Sequence, residues 1–414
     1  MAQVRTRKRG KTWSYVFEAG QTADGKRKVV EKGGFPTQEA AYDAGTSAYT
    51  DWKHGNIGIT SERISVCDFL KFWLDKVAVL RVRPTTMQQY RSATRARIYP
   101  FFQGIILQDL LPSRLDAWMN HMLKAGLSKS TIRSTIKILR TALDYAVYPG
   151  ELISSNPLHY IKVPSTAPSG IIKRSVIGLD IFQRLTQHYF FGTPMHMPLQ
   201  ILYHTGVRIG ELVGMTWDEI DLDAKVLTLN HQIIHLNWQG HFFAPLKTLS
   251  SNRSFPLDDE LVRVLKAWKA HQAKNELAEG GGYICVMKNM EGMVFEISKA
   301  LLHMAPKGSV RVPMICTWPN GHFVKGEYIR HILTTEGLNA HSFRHTHATM
   351  LIENGATPKG VAGRLGHQNA EITQNLYTHD TEKIQLDTVK VFERAMQAKH
   401  KKEKRKSEQK ANKK

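Results

Sequence analysis

The sequence predicts a multidomain protein that is mainly α-helical with a small β component. A length of 414 residues exceeds that of one ordinary domain. Near the N-terminus, aromatic and polar residues alternate as in a half-buried strand, whereas most of the remaining chain has the apolar spacing of helices. We therefore expect a small N-terminal β-sheet plus a helix, then a helical bundle, then a larger mixed α/β unit.

The first unit, residues 1–50, combines strand signals with basic residues. The aromatic residues of WSYVFEA alternate, Asp24 and Gly25 have the composition of a hairpin turn, and a helix is expected from about Thr37. A small sheet with so many cations suits a DNA groove or backbone. The residues expected to contact DNA here are Arg7, Lys8, Arg9, Lys26 and Arg27.

The second unit, residues 65–160, has the apolar periodicity of four short helices. Ser113 and Ser128 precede the last two helices and are predicted to be their N-caps. The charged residues on the polar faces are almost all cations, which favours contact with DNA over simple solvation. The residues expected to make that contact are Arg91, Arg95, Lys129 and Arg133.

The third and largest unit, residues 172–396, follows a linker rich in Pro, Ser and Gly. Its helices enclose β segments around KVLTLNHQIIHL and FFAPLKTLSSNRSFPL. Residues 397–414 form a basic tail without apolar periodicity, which we expect to be disordered and to add nonspecific affinity for DNA.

Composition narrows the classes of partner. Lys and Arg total 57 against 36 Asp and Glu, so the formal net charge is +21, which favours nucleic acid over a membrane surface. No stretch approaches a membrane span, and no secretory signal is apparent, so a cytoplasmic protein without a membrane partner is expected. The three cysteines are too far apart for a CxxC metal motif and are interpreted as reduced structural thiols.

Four short motifs in the third unit carry the residue types needed for attack on a phosphodiester. They are HTGVRIGEL, APLKTLSSNRSFPL, HSFRHTHATML and LGHQNAEITQNLY. Arginine forks can hold two nonbridging phosphate oxygens as negative charge grows in the transition state. A tyrosine phenol becomes a nucleophile when its proton is accepted during the attack. Each motif alone is weak, but their joint occurrence in a basic chain is not.

In order and type, these motifs resemble those of the tyrosine recombinases, also called phage integrases. Arg208 resembles the first catalytic arginine and Lys247, expected at a β-hairpin, the catalytic lysine. HSFRH resembles the family's His-x-x-Arg pattern, and the tyrosine of the fourth motif, Tyr377, resembles the family's nucleophile. The catalytic residues that this resemblance implies are Arg208, Lys247, His341, Arg344, His367 and Tyr377.

The resemblance also implies roles for the three units. Residues 1–50 are similar to an arm-type DNA-binding domain, residues 65–160 to a core-binding domain, and residues 172–396 to the catalytic domain. The likeness of the first unit is to integrases of temperate phages and conjugative transposons of Gram-positive bacteria. The segment from about Glu276 to Lys325 is longer than the family's usual connection, and its apolar content suggests a packed insertion.

Family membership would make the protein an integrase that recombines double-stranded DNA attachment sites through a 3′-phosphotyrosine, with no cofactor. It would act as a homotetramer on DNA, with an excisionase and a DNA-bending host protein as further partners. In this chemistry His341 or His367 would accept or relay the phenol proton, and Lys247 would protonate the leaving 5′ oxygen.

Three other functions share part of these features. A type IB topoisomerase-like enzyme would use the same chemistry on one duplex, and a catalytically silent DNA-binding regulator would keep the fold alone. A zinc-dependent nuclease ranks behind both. His341 and His345 lie one helical turn apart, but they lack an acidic or cysteine third ligand close in the sequence.

Overall fold

A computed structural model of the chain describes residues 4–21, 27–53, 63–165, 167–168 and 176–366. The chain divides into two compact units, Met1–Ile171 and Ile172–Lys414. Helices predominate and the strands form three small sheets, which confirms the expected fold class.

The chain begins with a three-stranded antiparallel sheet. Its strands are β1 (Arg5–Arg9), β2 (Thr12–Gln21) and β3 (Arg27–Phe35), in the order β1-β2-β3, and helix α1 (Gln38–Lys53) follows. Tyr15 and Phe17 are buried, as the alternating pattern predicts for one face of a strand. The helix lies close to that face, since a side chain at Gly45 would meet Tyr15. The turn expected at Asp24 and Gly25 lies outside the described residues.

Four helical stretches form the bundle that follows. The segments are α2 (Val66–Phe72), α3 (Val79–Arg81), α4 (Pro84–Ala93), α5 (Tyr99–Phe102), α6 (Pro112–Lys124) and α7 (Lys129–Val147). Short π-helical segments join α2 to α3 and α4 to α5, so each pair is one continuous helix. Trp118 is fully buried, stacks edge-on against Phe102, and donates its indole N–H to the Arg97 carbonyl at 2.8 Å.

Only one of the two predicted N-caps in this bundle is correct. Ser128 caps α7, and its hydroxyl accepts the backbone N–H of Thr131. The prediction for Ser113 is wrong, because α6 begins one residue earlier, at Pro112, after the extended Leu111. Proline is favoured at a first helical position, since its fixed φ suits the helix and the N–H it lacks would have no partner there.

The second compact unit, Ile172–Lys414, contains seven α-helices and eight strands among its described residues. The helices are α8 (Leu179–His188), α9 (His196–Thr205), α10 (Ile209–Gly214), α11 (Asp259–Glu279), α12 (Gly326–Thr335), α13 (Ala340–Glu353) and α14 (Pro358–Leu365). The strands are β4 (Ile220–Asp221), β5 (Val226–Leu229), β6 (His231–Leu236), β7 (Gly240–Pro245), β8 (Arg253–Pro256), β9 (Ile284–Lys288), β10 (Met293–Ser298) and β11 (Val310–Arg311). One apolar core includes residues from α8, α9 and α11.

The strands of this unit form two sheets, ordered β4-β5-β8 and β11-β9-β10-β7-β6. Strands β9, β10 and β11 come from the segment Glu276 to Lys325, which extends the β6–β7 hairpin by three strands. Tyr283, Cys285 and Met287 are buried in a small core of their own within it. The segment is therefore packed, as its apolar content suggests, and we refer to it below as the insertion.

All three cysteines are free thiols. Cys285 and Cys316 are buried and Cys67 is partly buried. Burial raises the pKa of each thiol, that of Cys316 to about 12. Within the described ranges, no helix has both the length and the apolar content that crossing a membrane requires.

Candidate active site

Two arginines that are far apart in the chain meet at the end of α14. Arg208 immediately precedes α10, and its Nη2 donates to the Gly366 carbonyl at 3.0 Å. Arg344, in the first half of α13, donates from Nη2 to the adjacent Leu365 carbonyl at 2.5 Å and from Nη1 to the Gly206 carbonyl at 2.9 Å. The two guanidinium groups thus bind neighbouring carbonyls, directly before His367 in the chain.

The two arginines differ in exposure. The Arg208 side chain is 30% exposed, whereas Arg344 is 7% exposed. Burial lowers the pKa of Arg344 to about 9, and the nearby charge of Arg208 lowers it in the same direction. Arg344 nevertheless stays cationic at neutral pH, so the pair places two positive charges at the end of α14.

A buried carboxylate neutralises part of this charge. Glu211, in the first turn of α10, is 1% exposed and accepts Nη1 of Arg208 at 2.8 Å and Nη2 of Arg253 at 2.9 Å. It also accepts the backbone N–H of Arg208 at 3.0 Å. Burial alone would raise the pKa of Glu211, but hydrogen bonds and charges from Arg253 and Arg208 outweigh it, so the pKa is lowered. Glu211 therefore stays ionised and orients both guanidinium groups.

A second layer of contacts holds the end of α14. The Arg253 Nε donates to the Arg364 carbonyl at 2.7 Å, and the Arg364 guanidinium lies over the Phe255 ring. Arg364 also donates from Nε to Nε2 of His347 at 3.1 Å, while Nδ1 of His347 lies 3.1 Å from the Tyr203 carbonyl. These bonds assign the proton of the neutral imidazole to Nδ1. Burial, and then the charge of Arg364, lowers the pKa of His347 to about 4.

Two glycines allow the close approach of these elements. Gly206 and Gly366 end α9 and α14 with φ of 63° and 67°, a left-handed conformation that glycine adopts without strain. A side chain at Gly206 would meet Leu365 and His347. One at Gly366 would meet the backbone of Ser250 and Ser251. The carbonyls of both glycines therefore remain within reach of the two arginines.

Lys247 is exposed and lies in the connection between β7 and β8. The expectation of a β-hairpin at this position is wrong, because β7 and β8 belong to different sheets and pair with other strands. The same connection includes Ser250 and Ser251, which lie against Gly366. Lys247 is therefore carried by a loop that packs on the end of α14.

Only part of the histidine motifs lies within the described residues. His341 is exposed in the first turn of α13, three residues before Arg344, so helical spacing places the two on adjoining parts of the helix surface. His367 and Tyr377 lie outside the described residues. His347 packs and hydrogen-bonds within the unit. Among the described residues, the side chains grouped so that they could hold a metal ion include neither His341 nor His345.

The cations expected to contact DNA differ in their surroundings. On β1, Arg7 and Lys8 are exposed and Arg9 pairs with Glu31 at 3.0 Å. In the bundle, Arg95 and Arg133 are exposed, Arg91 pairs with Asp75 at 2.9 Å, and the Lys129 ammonium donates to the Ser165 carbonyl at 3.2 Å. Lys26 and the side chain of Arg27 lie outside the described part of the chain.

Two residues at the centre of the site were not predicted from the sequence. Glu211 follows Arg208 by three positions, the spacing at which a first-turn carboxylate accepts the backbone N–H at a helix start. Its capping role could therefore have been predicted from the sequence. Arg253 carried no such signal, because its partners Glu211 and Arg364 are far away in the chain.

Family profiles match three stretches of the chain. The phage integrase family matches residues 188–383, the N-terminal SAM-like domain of phage integrases matches residues 66–123, and an arm DNA-binding domain matches residues 3–47. Together they cover more than half of the sequence. The chain belongs to the phage integrase family.

Curated relatives of this phage integrase include other recombinases of Gram-positive bacteria and their mobile elements. A tyrosine recombinase XerC-like protein of Caldanaerobacter subterraneus subsp. tengcongensis is 24% identical over 383 residues, covering 89% of this chain and 93% of the relative. The transposase from transposon Tn916 of Enterococcus faecalis is 23% identical over 66% of this chain, and the match spans 64% of that transposase. The phage integrase is accordingly a tyrosine-type site-specific recombinase.

Solved structures share the fold. The Tn1549 transposon integrase in complex with a circular intermediate DNA aligns with 79% of this phage integrase and 99% of that chain, at a TM-score of 0.61 and 18% sequence identity. At this identity the match establishes the common architecture alone.

Proposed function

We propose that the protein integrates or excises a mobile element by cutting and rejoining DNA attachment sites through a 3′-phosphotyrosine at Tyr377. Arg208 and Arg344 would bind the scissile phosphate, and Lys247, His341 and His367 would move protons. The residue assignments rest on the four sequence motifs and on the contacts around the end of α14.

The observation that carries this proposal is the convergence of Arg208 and Arg344. Both guanidinium groups donate to consecutive carbonyls, at Leu365 and Gly366, immediately before the segment that contains His367 and Tyr377. Glu211 fixes Arg208 from the side, which leaves part of its fork exposed. Two positioned cations within hydrogen-bonding range of one locus are what a phosphoryl transition state requires.

The reaction balances without an external energy source. The Tyr377 oxygen would form a bond to phosphorus as the bond from phosphorus to the 5′ oxygen breaks. The phenol proton would pass to His341 or His367, and Lys247 would supply a proton to the leaving oxygen. Attack by another strand's 5′ hydroxyl would reverse these steps and release the tyrosine. One phosphodiester is thereby exchanged for another, so the scheme needs neither ATP nor a metal ion.

The three profile matches support a division of labour along the chain. Residues 1–50 would bind arm-type sites, residues 65–160 would bind the core site, and residues 172–396 would perform strand exchange, with the basic tail 397–414 adding nonspecific affinity. Assembly as a homotetramer on two duplexes, help from an excisionase and a DNA-bending host protein, and a cytoplasmic location belong to the same proposal.

Covalent trapping tests the proposed chemistry. The full-length protein is mixed, without magnesium or ATP, with nicked suicide DNA carrying the element's own attachment site, and adducts are sought on a denaturing gel. We expect an adduct with the wild type and none with Tyr377→Phe. Tyr328→Phe is the matched control, because Tyr328 is a partly buried tyrosine of the same unit that packs on Trp318. Its adduct should equal that of the wild type.

The outcomes separate the rival functions. Tight DNA binding without any adduct would favour a DNA-binding regulator. An adduct that persists in Tyr377→Phe would assign the nucleophile to another residue. Relaxation of supercoiled DNA without exchange between two attachment sites would indicate a type IB topoisomerase-like enzyme.

A further inference from the structure

In the compact unit Ile172–Lys414, two histidines and one glutamate lie close together. The recombination chemistry assigns no role to any of the three. His235 Nδ1 lies 3.1 Å from Oε1 of Glu327, and His241 Nε2 lies 3.2 Å from Oε2 of the same carboxylate. The ligand atoms of all three residues lie within 4.8 Å of one another. We refer to these three residues as the His–His–Glu cluster.

The backbone fixes where the three side chains begin. His235 on β6 and His241 on β7 are direct partners in the antiparallel ladder, so their side chains leave the same face of the hairpin. Their rings stack at 4.6 Å with 16° between the planes. Glu327 lies in the first turn of α12. A ligand set carried by a hairpin and a helix start is better positioned than one on loops.

The donor atoms suit a divalent cation. The two histidine nitrogens and the two carboxylate oxygens already face one another at hydrogen-bonding distance, so the groups that would bind a metal point towards a common centre.

Two cations lie near the cluster. Nη2 of Arg330 lies 3.2 Å from Oε1 of Glu327, and the Lys325 ammonium lies 5.8 Å from the centre of the Phe323 ring. Arg330 and Lys325 are both exposed, so each side chain can turn into solvent when a divalent ion takes its place. The Phe323 ring packs edge-on against His241 and gives the cluster an apolar wall.

We propose that the His–His–Glu cluster binds one divalent transition-metal ion, best matched by Zn²⁺. Two imidazoles and one carboxylate form a known zinc ligand set that leaves a fourth position for water. In a tetrahedral site, zinc bonds of about 2.0–2.2 Å place neighbouring ligand atoms roughly 3.4 Å apart. The ligand atoms of the cluster lie within 4.8 Å of one another, so they would have to close by at most about 1.4 Å. Two nitrogen ligands disfavour Mg²⁺ and Ca²⁺, which prefer oxygen.

The bound ion would act as a clamp rather than in the reaction. It would join the β6–β7 hairpin to the start of α12, two elements separated in the chain by the whole insertion. Strand β7 leads within two residues of its end to Lys247, so the clamp would also steady the base of the loop that carries this lysine.

Zinc titration of the full-length, tag-free protein tests the proposal. After treatment with a chelator and its removal, binding is followed by calorimetry, and thermal unfolding is recorded with and without zinc. The wild type should bind one equivalent that His241→Ala and His235→Ala lose, with affinity weakened at least about 100-fold. The apparent Tm should rise with zinc in the wild type alone. Magnesium should produce neither effect.

His322→Ala is the matched control. His322 Nδ1 lies 3.1 Å from Oε2 of Glu296, which makes a similar His–Glu pair in the same unit without a second histidine. This variant should bind zinc as the wild type does. Glu327→Gln, which keeps the size of the side chain, separates lost ligation from lost folding, since its circular dichroism should match the apo wild type.

Equal zinc affinity in the wild type and His241→Ala would overturn the proposal, as would the absence of zinc binding by the wild type at micromolar concentrations. Either result would leave the cluster as a hydrogen-bonded contact between hairpin and helix. None of these readouts depends on recombination, so they stand or fall separately from the nucleophile assignment.

Discussion

Two arginines share one buried carboxylate at the centre of the site. Glu211 binds Arg208 and Arg253 directly, and Arg344 lies close enough for the charge of Arg208 to lower its pKa. Leaving a buried charge without its partner lowers the free energy of unfolding by about 3–5 kcal/mol. Removal of Glu211 would take the carboxylate partner from two guanidinium groups. The arrangement concentrates positive charge at one point, while the buried carboxylate keeps its hydrogen bonds.

The neutral His347 makes stability sensitive to acid. Its pKa is about 4 in the folded protein, against about 6.5 in an unfolded chain. The unfolded chain therefore binds the proton first as pH falls, and stability that is complete above about pH 6.5 is lost towards pH 4. Between pH 7 and pH 4.5 the loss attributable to this residue should be about 2.5 kcal/mol.

Urea unfolding of His347→Gln at the two pH values measures that contribution. The variant should be less stable at pH 7, because its contacts with Arg364 and Tyr203 are disturbed, but its stability should fall less on acidification. His331→Gln serves as the control, since His331 is exposed on α12. An acid dependence in His347→Gln equal to that of the wild type would contradict the assignment.

The sequence was informative about residues that share a local motif and silent about those joined across the chain. Arg208, Arg344 and Lys247 lie in short patterns whose joint occurrence and order could be recognised. The link from Arg253 to Glu211 and to Arg364 depends on β8, α10 and α14 coming together, and no local spacing encodes it. The His–His–Glu cluster was missed for the same reason.

At the scale of single elements, the starts of α6 and α7 show how similar serines differ. Both serines precede apolar-periodic segments, but Pro112 sets the start of α6 and leaves Ser113 inside its first turn. Ser128 stays outside α7 in an extended conformation, where its hydroxyl can accept a backbone N–H. Helix starts are therefore predictable where a capping residue has no competing proline beside it.

Substitution of these two serines gives a direct test. Ser128→Ala should lower the free energy of unfolding by about 1 kcal/mol, because one backbone donor of α7 loses its acceptor. Ser113→Ala should change it by less than about 0.5 kcal/mol, since Ser113 is exposed and does not cap the helix. Chemical denaturation of both variants provides the measurement, and equal losses would refute the distinction.

Strand pairing was harder to predict than helix position. The β segments were located correctly, but β7 pairs with β6 and β10, whereas β8 pairs with β5. Periodicity identifies a strand without naming its partner, and the long insertion supplies a partner that local sequence cannot anticipate. The error at Lys247 follows from this.

At the scale of the whole molecule, the net charge of +21 should make DNA binding strongly dependent on salt. Each phosphate contact that is removed reduces the slope of log affinity against log salt by about 0.9. A double variant, Arg95→Gln with Arg133→Gln, should therefore have a slope smaller by about 2 if both exposed cations bind phosphate.

Fluorescence anisotropy with a nonspecific duplex, repeated over a range of salt concentrations, measures this slope. Arg263→Gln removes one exposed cation that is already paired with Glu260, and its slope should stay close to that of the wild type. An unchanged slope in the double variant would mean that Arg95 and Arg133 do not face the DNA backbone.

The state of the three cysteines makes the protein well suited to optical study. Only thiolates react readily with maleimide dyes, and each native thiol is at least partly buried with a raised pKa. The native chain should therefore take up dye slowly. A cysteine introduced at the exposed Ser113 would become the preferred attachment point. Energy transfer from that dye to labelled DNA could then follow DNA binding in real time, without removal of any native cysteine.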